Sequence, residues 1–289
     1  MAWTNFHSHT HYCDGTGTIA EYLENAVKQG MPSYGISSHA PVGFQTDWCI
    51  PDAEVKAYIS ELKAAKLKFL GQIQTYCGFE IDFIPGIAGR SRNLLKNLEL
   101  DYFIGSIHFV GTFKNGEYWN IDHSKDLFIR GFQEIYNSNP KKLYSDFYEL
   151  SLQMIEEDKP DILGHLDKVK MFNNRNEFFD ESEKFYRDIT QKVLDVIKKG
   201  GVIVEVNTRG YYRYGQDDLY PGYRILEQIA KMDIPVMLNS DSHKPEEISS
   251  GFEYAAKVLK EAGIKKLWTM LDNKWSEFNF NEQGLIIPG

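Results

Sequence analysis

Six of the eight histidines close short apolar runs that read as β-strands, so the fold must bring those strand ends together. The first run leads into Phe6-His7-Ser8-His9-Thr10-His11-Tyr12-Cys13-Asp14. In an extended segment residues two apart point to one side, so His7 and His9 can reach one ion, with Asp14 in the loop just beyond. Later runs deliver His39 after Gly35-Ile36-Ser37-Ser38, Glu80 in Gly78-Phe79-Glu80-Ile81-Asp82, and His108 in Gly105-Ser106-Ile107-His108-Phe109. His165 follows Leu163-Gly164, and Asp241 and His243 stand in Asn239-Ser240-Asp241-Ser242-His243. A lone His-x-His is weak evidence, because a single histidine is more often a hydrogen-bonded structural residue. The recurrence at strand ends is what points to a metal centre.

Between these ends lie helical patterns at 18–29, 53–70, 90–98, 126–136, 140–157, 177–199, 223–232 and 246–262. Thr18 and Glu21 are spaced as a capping box. Strands are expected at 33–38, 74–79, 102–107, 160–164, 202–206, 235–238 and 265–270, with a short tail after them. Residues 110–124 read as a hairpin or excursion, and 208–220 as a loop rich in Tyr, Gly and Arg. The irregular stretch 41–51, with Phe44, Trp48 and Ile50, either covers a cleft beside the metals or packs as ordinary surface. Strand and helix alternate about seven times without a linker, which implies one α/β domain over 1–289 with a parallel sheet. A closed barrel would gather ligands more than two hundred positions apart at the carboxyl ends of its strands.

A net charge of −9 disfavours a nucleic-acid binder, which needs clustered Lys and Arg. No apolar run has the length of a membrane span, and no basic-then-apolar leader opens the chain, so a cytoplasmic protein is expected. Cys13, Cys49 and Cys77 form no C-x-x-C pair and are expected as reduced thiols. Cys13 is read as a small half-buried residue rather than a ligand. His11 is a candidate for substrate contact or for support of a ligand, and His123 is expected to be solvated.

Nine candidates, His7, His9, Asp14, His39, Glu80, His108, His165, Asp241 and His243, exceed the four ligands of one tetrahedral zinc. Several divalent ions are implied, and imidazole with carboxylate suits Zn, Mn or Fe alike. Three ions bring +6 and the carboxylates of Asp14, Glu80 and Asp241 bring −3. A hydroxide and a phosphate monoester dianion would cancel the remaining +3. Clustered metals lower the pKa of a bound water and offset charge on a transferring phosphoryl group, which suits direct in-line hydrolysis without a phosphoenzyme. The sequence has no D-x-D-x-[TV], C-x5-R, P-loop or H-E-x-x-H motif to suggest another route.

Taken in order, these motifs resemble the PHP (polymerase and histidinol phosphatase) superfamily, and more narrowly its histidinol-phosphate phosphatase branch. The resemblance runs from His7 to about Ile248. It implies a distorted (β/α)7 TIM-like barrel with three metals. His7, His9, Glu80 and Asp241 would hold the first; Glu80 would bridge to a second held by His108 and His165; Asp14, His39 and His243 would hold the third. Glu80, Asp241 and His243 would serve catalysis as well as metal binding. The reaction implied is hydrolysis of L-histidinol phosphate in histidine biosynthesis. The segment Asn207-Thr208-Arg209-Gly210 with Arg213 resembles a loop of that branch, and Arg209 or Arg213 is expected to offer its guanidinium fork to phosphate. Alternatives are a PHP phosphoesterase acting on another small phosphomonoester or nucleotide, and a non-catalytic metal-binding module. Oligomeric state is left open.

Overall fold

The computed structural model describes residues 2–173, 176–215 and 219–288, so residues 216–218 of the expected 208–220 loop lie outside them. Helix α1 (Ile19–Lys28) begins at the expected capping box. The Glu21 N–H donates to Thr18 Oγ1 and the Thr18 N–H donates to the Glu21 carboxylate, satisfying two helix-end donors. There follow β1 (Ser33–Ile36), α2 (Val55–Lys68), β2 (Gln74–Cys77), β3 (Glu80–Asp82) and β4 (Ile104–Ser106). The hairpin β5 (Phe109–Thr112) and β6 (Tyr118–Asn120) precedes α3 (Lys125–Glu134), α4 (Pro140–Glu157), β7 (Ile162–Leu163) and α5 (Lys184–Gly200). The chain continues through β8 (Ile203–Asn207), α6 (Arg209–Tyr214), α7 (Tyr223–Met232), β9 (Val236–Asn239) and α8 (Phe252–Glu261). It ends in β10 (Lys266–Leu271), β11 (Lys274–Asn281) and β12 (Gly284–Leu285).

This is an α/β fold built on parallel strands. Strands β3, β4, β7, β8 and β9 pair in that order, all parallel, and β1 pairs parallel with β2. Isolated parallel bridges join Asn5 to Tyr34, His39 to Glu80 and Ser8 to Ser242. Parallel strands need crossovers, and the helices that make them cover one face of the sheet. In β8, Val204 and Val206 pack with apolar residues of α4, α5 and α7, while Ile203 on the opposite face joins Phe6, Tyr76, Tyr102, Ile104, Ile162, Met237 and Met270. By alternation Glu205 and Asn207 share the face of Ile203, and both are fully buried. No helix of the described residues is long and apolar enough to cross a membrane.

Five expectations are corrected. Residues 90–98 form turns rather than a helix, because the Arg90 guanidinium takes the carbonyls of Leu95 and Leu98 as its own acceptors. The helix expected from residue 177 starts at Lys184, since the Asn173 side chain accepts from the N–H groups of Phe178 and Phe179 and holds them in a loop. The helix expected from residue 246 starts at Phe252, after Gly251 with φ of 79°, a left-handed conformation that breaks it. Part of the 208–220 loop is α6, opened by the Arg209 N–H donating to Asn207 Oδ1. The expected tail is a three-stranded antiparallel sheet, β10-β11-β12. Its turn is Asp272-Asn273, both with positive φ, which is the signature of a two-residue hairpin and was legible in the sequence.

Candidate metal centre

The sequence places a carboxylate, Glu80, at the first residue of β3, and imidazoles gather on it. Oε2 of Glu80 lies 3.1 Å from His7 Nε2, 3.4 Å from His9 Nε2 and 2.9 Å from His39 Nδ1. Oε1 lies 2.9 Å from His165 Nε2 and 3.7 Å from His108 Nε2. Asp241 Oδ1 is 3.1 Å from His9 Nε2 and 3.7 Å from His7 Nε2. Asp14 is 3.1 Å from His243 Nε2 and 3.9 Å from His39 Nε2. All nine candidate ligands therefore meet in one cluster. Three groups have their ligand atoms within 4.8 Å of one another: His9, Asp14, His39 and His243; His7, His9 and Asp241; and His39, Glu80 and His108. His9 and His39 each serve two groups, so the grouping is more interlocked than three separate ligand sets.

The spacing fits metal better than hydrogen bonding. His7 Nε2, His9 Nε2, His39 Nδ1 and Glu80 Oε2 are buried without a hydrogen-bond partner, although they lie close together. Bonds of 2.0–2.1 Å at tetrahedral angles put ligand atoms roughly 3.3–3.4 Å apart, a value inside the 2.9–3.9 Å range of the separations here. Two of the candidate ligands also hold unusual backbone, His165 with φ of 20° and Asp241 with φ of 53°. Such conformations cost about 1–3 kcal/mol each and cluster at functional sites.

Surrounding groups fix the tautomers. His7 Nδ1 donates to Glu205 Oε1 at 2.6 Å, so Nε2 is the nitrogen that faces the cluster and would give its lone pair to a metal. Glu205 also accepts from the His165 N–H, Asn207 Nδ2 and Asn239 Nδ2. His108 donates both its N–H and Nδ1 to Asp82 Oδ1 at 3.0 Å, and His243 Nδ1 donates to the Asp241 carbonyl. Ser106 Oγ donates to Glu80 Oε1 at 2.6 Å. A Cβ at Gly164 would sit 2.5 Å from that hydroxyl, so the glycine before His165 leaves room for it. Glu205 and Asp82 were not singled out from the sequence, yet a charged residue inside a buried apolar strand was the signal for both. Glu205→Gln is expected to weaken metal binding about 10- to 100-fold with the fold intact. Metal titration after dialysis measures this, and an unchanged affinity would remove Glu205 from that role.

The electrostatics follow from mutual burial. Burial alone would lower His7, but the carboxylates of Glu205, Glu80 and Asp241 hold it well above the usual histidine range. His39 is raised in the same way against burial, by Glu80 and Asp14, and His108 reaches about 10 as Asp82 and Asp122 overcome its burial. His9 goes the other way, lowered by burial and by the neighbouring His243 and His39. Burial would raise Glu80 and Asp241, yet the histidines around them hold both carboxyls well below their ordinary values. Divalent cations would take over the positive charge that protons supply here.

A cavity of about 300 Å³ opens over the cluster. Glu80, Asp241 and His243, the three residues expected to carry catalysis, line it, together with Asp14, His39 and His108. Arg209 lines it too, with Nη1 donating to the Asp241 carbonyl at 2.9 Å, whereas Arg213 is exposed on α6 and is not part of the lining. Lys168 is a lining residue that sequence reading passed over; it is buried and lies 3.4 Å from Asp122. The 41–51 loop contributes Asp47 and Trp48, with the indole edge-on to His39 at 4.5 Å. His123 is exposed but lines the mouth, and His11 is exposed beside Tyr12 and does not line the cavity. Cys13 is a half-buried free thiol 3.6 Å from His9 Nδ1.

The chain is similar to known proteins in sequence and in fold. The sequence model of the PHP domain matches residues 5–209. A probable histidinol-phosphatase of Schizosaccharomyces pombe is 26% identical over 301 residues, covering 94% of this chain and 95% of that protein. A probable histidinol-phosphatase of Deinococcus radiodurans is 28% identical over 260 residues, covering 89% and 92%. Among solved structures, histidinol phosphate phosphatase from Lactococcus lactis, in complex with Zn, L-histidinol and phosphate, has the same fold. It matches with a TM-score of 0.70 at 18% identity, over 95% of this chain and 98% of that one.

Proposed function

The chain belongs to the PHP domain family, and on that premise we propose that it is a metal-dependent phosphatase that hydrolyses L-histidinol phosphate to L-histidinol and phosphate. The observation that carries the reading is the set of buried, hydrogen-bond-free donor atoms around Glu80, spaced as a ligand shell at the floor of a cavity with two cationic side chains. The likeness in fold to a phosphatase holding L-histidinol and phosphate, and two relatives of that name over most of the chain, favour this substrate.

The parallel bridges support a closed (β/α)7 barrel. Segment 5–8 bridges β1 on one side and the end of β9 on the other, so the staves run 5–8, β1, β2 with β3, β4, β7, β8 and β9. A single apolar cluster drawing on these staves and on β10 supports one domain over 1–289. The ligand atoms then share the end of the ring where active sites of such barrels lie.

The donor set accommodates three divalent ions of Zn, Mn or Fe: His7, His9, Glu80 and Asp241 for one, Glu80, His108 and His165 for a second, Asp14, His39 and His243 for a third. Bound there, the ions supply an activated water and offset charge on the phosphoryl oxygens. Glu80, touching five imidazoles, holds the ligand groups in register. Arg209, fixed by the Asp241 carbonyl, keeps guanidinium N–H groups for phosphate oxygens, and Lys168 adds a second positive charge held by Asp122. Trp48 walls the ligands from solvent on the side of His39 and His108.

The test is phosphate release from L-histidinol phosphate, against nucleotides and sugar phosphates, by protein purified without chelator and with metals quantified on the same sample. Fast, selective release with about three metals per chain is expected. Metal without release from histidinol phosphate, but with release from a nucleotide or sugar ester, would move the assignment to a broader PHP phosphoesterase.

A further inference from the structure

The lining of the cavity over the metal cluster carries both signs of charge. Arg209 and Lys168 line it beside six of the candidate ligands, and with metal bound these would suit an anion. Its lining also includes two carboxylates outside the candidate ligand set, Asp47 and Asp122. Asp122 is committed, with Oδ2 3.4 Å from Lys168 Nζ and 3.9 Å from His108 Nε2. Asp47 is exposed and makes no ion pair among the described residues. We propose that Asp47 is a specificity-determining residue that binds a cationic group on the organic half of the substrate, so that the site selects phosphomonoesters carrying an ammonium. The inference rests on the phosphatase reading above and names the part of the substrate that reading leaves unassigned.

Asp47 is placed well enough to do this. Its neighbour Trp48 stacks on Phe109 at 5.6 Å and meets His39 and His108 edge-on. On the other side Phe44 stacks on Tyr118 at 4.9 Å. The Ile50 N–H donates to the His39 carbonyl at 3.1 Å, the Cys49 N–H to Thr46 Oγ1, and Arg92 Nη1 to the Pro41 carbonyl. The loop is thus pinned on both sides of Asp47 to the elements that carry the metal ligands. An uncommitted carboxylate on the lining of an anion site repels a plain dianionic ester and attracts one that also carries a positive charge, so it discriminates by charge.

The experiment compares L-histidinol phosphate with the analogue lacking its amino group, in wild type and in Asp47→Asn. The ratio of kcat/KM for the two esters is expected to fall about fivefold in Asp47→Asn, the upper end of the scale of an exposed ion pair, about 1 kcal/mol. The loss is expected in KM for the amine-bearing ester rather than in kcat, and Asp47→Glu is expected to restore much of the ratio. Raising ionic strength should erode the preference in wild type and leave the Asn variant indifferent. A proportional change for both esters, or no change for either, overturns the proposal. If wild type releases phosphate from neither ester, the substrate reading itself falls and takes this inference with it, so the two failures are told apart by the wild-type result.

Discussion

Glu80→Gln is expected to abolish turnover and to lower the bound metal by at least one equivalent per chain. Glutamine keeps the size of the side chain and one acceptor, so the substitution isolates charge and lone-pair count. Five imidazoles lie within 3.7 Å of the Glu80 carboxylate, and Oε1 also accepts from Ser106. An amide would turn N–H donors toward histidine nitrogens that must present lone pairs to a metal, and it removes the negative charge that balances the ions. Losing even about 4 kcal/mol of transition-state stabilisation lowers the rate roughly 10³-fold. Loss of fold is separated from loss of site by comparing thermal melts of the chelated wild type with those of the chelated variant. Full metal content with turnover within about tenfold of wild type would sink the shared-ligand model.

The site was more legible in the sequence than the fold's edges were, for a physical reason. Metal ligands come from a short menu of side chains, and His7, His9, Glu80, His108 and Asp241 stand out as candidates because they follow short apolar runs. Supporting residues follow no such menu. Glu205 orients His7 through a hydrogen bond that depends on where β8 lies relative to the first strand, 198 positions away in sequence. Lys168 and Asp47 become site residues only through the cavity they share. Most helices were visible from their apolar faces, and α4 and α7 have the expected bounds. The failures came where side chains compete for backbone groups: Arg90 taking helix carbonyls, Asn173 holding Phe178 and Phe179, and Asn207 starting α6 with Arg209. The C-terminal hairpin was missed although Asp272-Asn273 carries a turn signal, because β11 is mostly half-buried and lacks an unbroken apolar face.

Metal removal should leave a protein whose stability falls as pH rises, while the metal-loaded protein does not show that fall. Without ions, His7, His39 and His108 are held protonated by the carboxylates around them, His108 to about pH 10. Their pKa values are raised above the unfolded value of about 6.5, so the stability they contribute is fully present below that pH. Above it the unfolded chain has released these protons while the folded chain retains them, and stability is lost until pH passes the folded values. Each such histidine contributes a slope on the order of 1 kcal/mol per pH unit, so the three together lower Tm by several degrees per unit in a chain of this size. The carboxylates Glu80 and Asp241 act at the other end: their pKa values are lowered, and their contribution is lost only as pH falls below the ordinary carboxylate range. Divalent ions compete with protons for the same nitrogens, so loading releases protons and apparent metal affinity rises with pH over this window. Thermal melts of chelated and reloaded protein from about pH 6 to 9 test both halves of the claim. A chelated protein whose Tm stays flat or rises across that range would show that its histidines are not held protonated by these carboxylates. The charge account of the cluster would then need a different counterion.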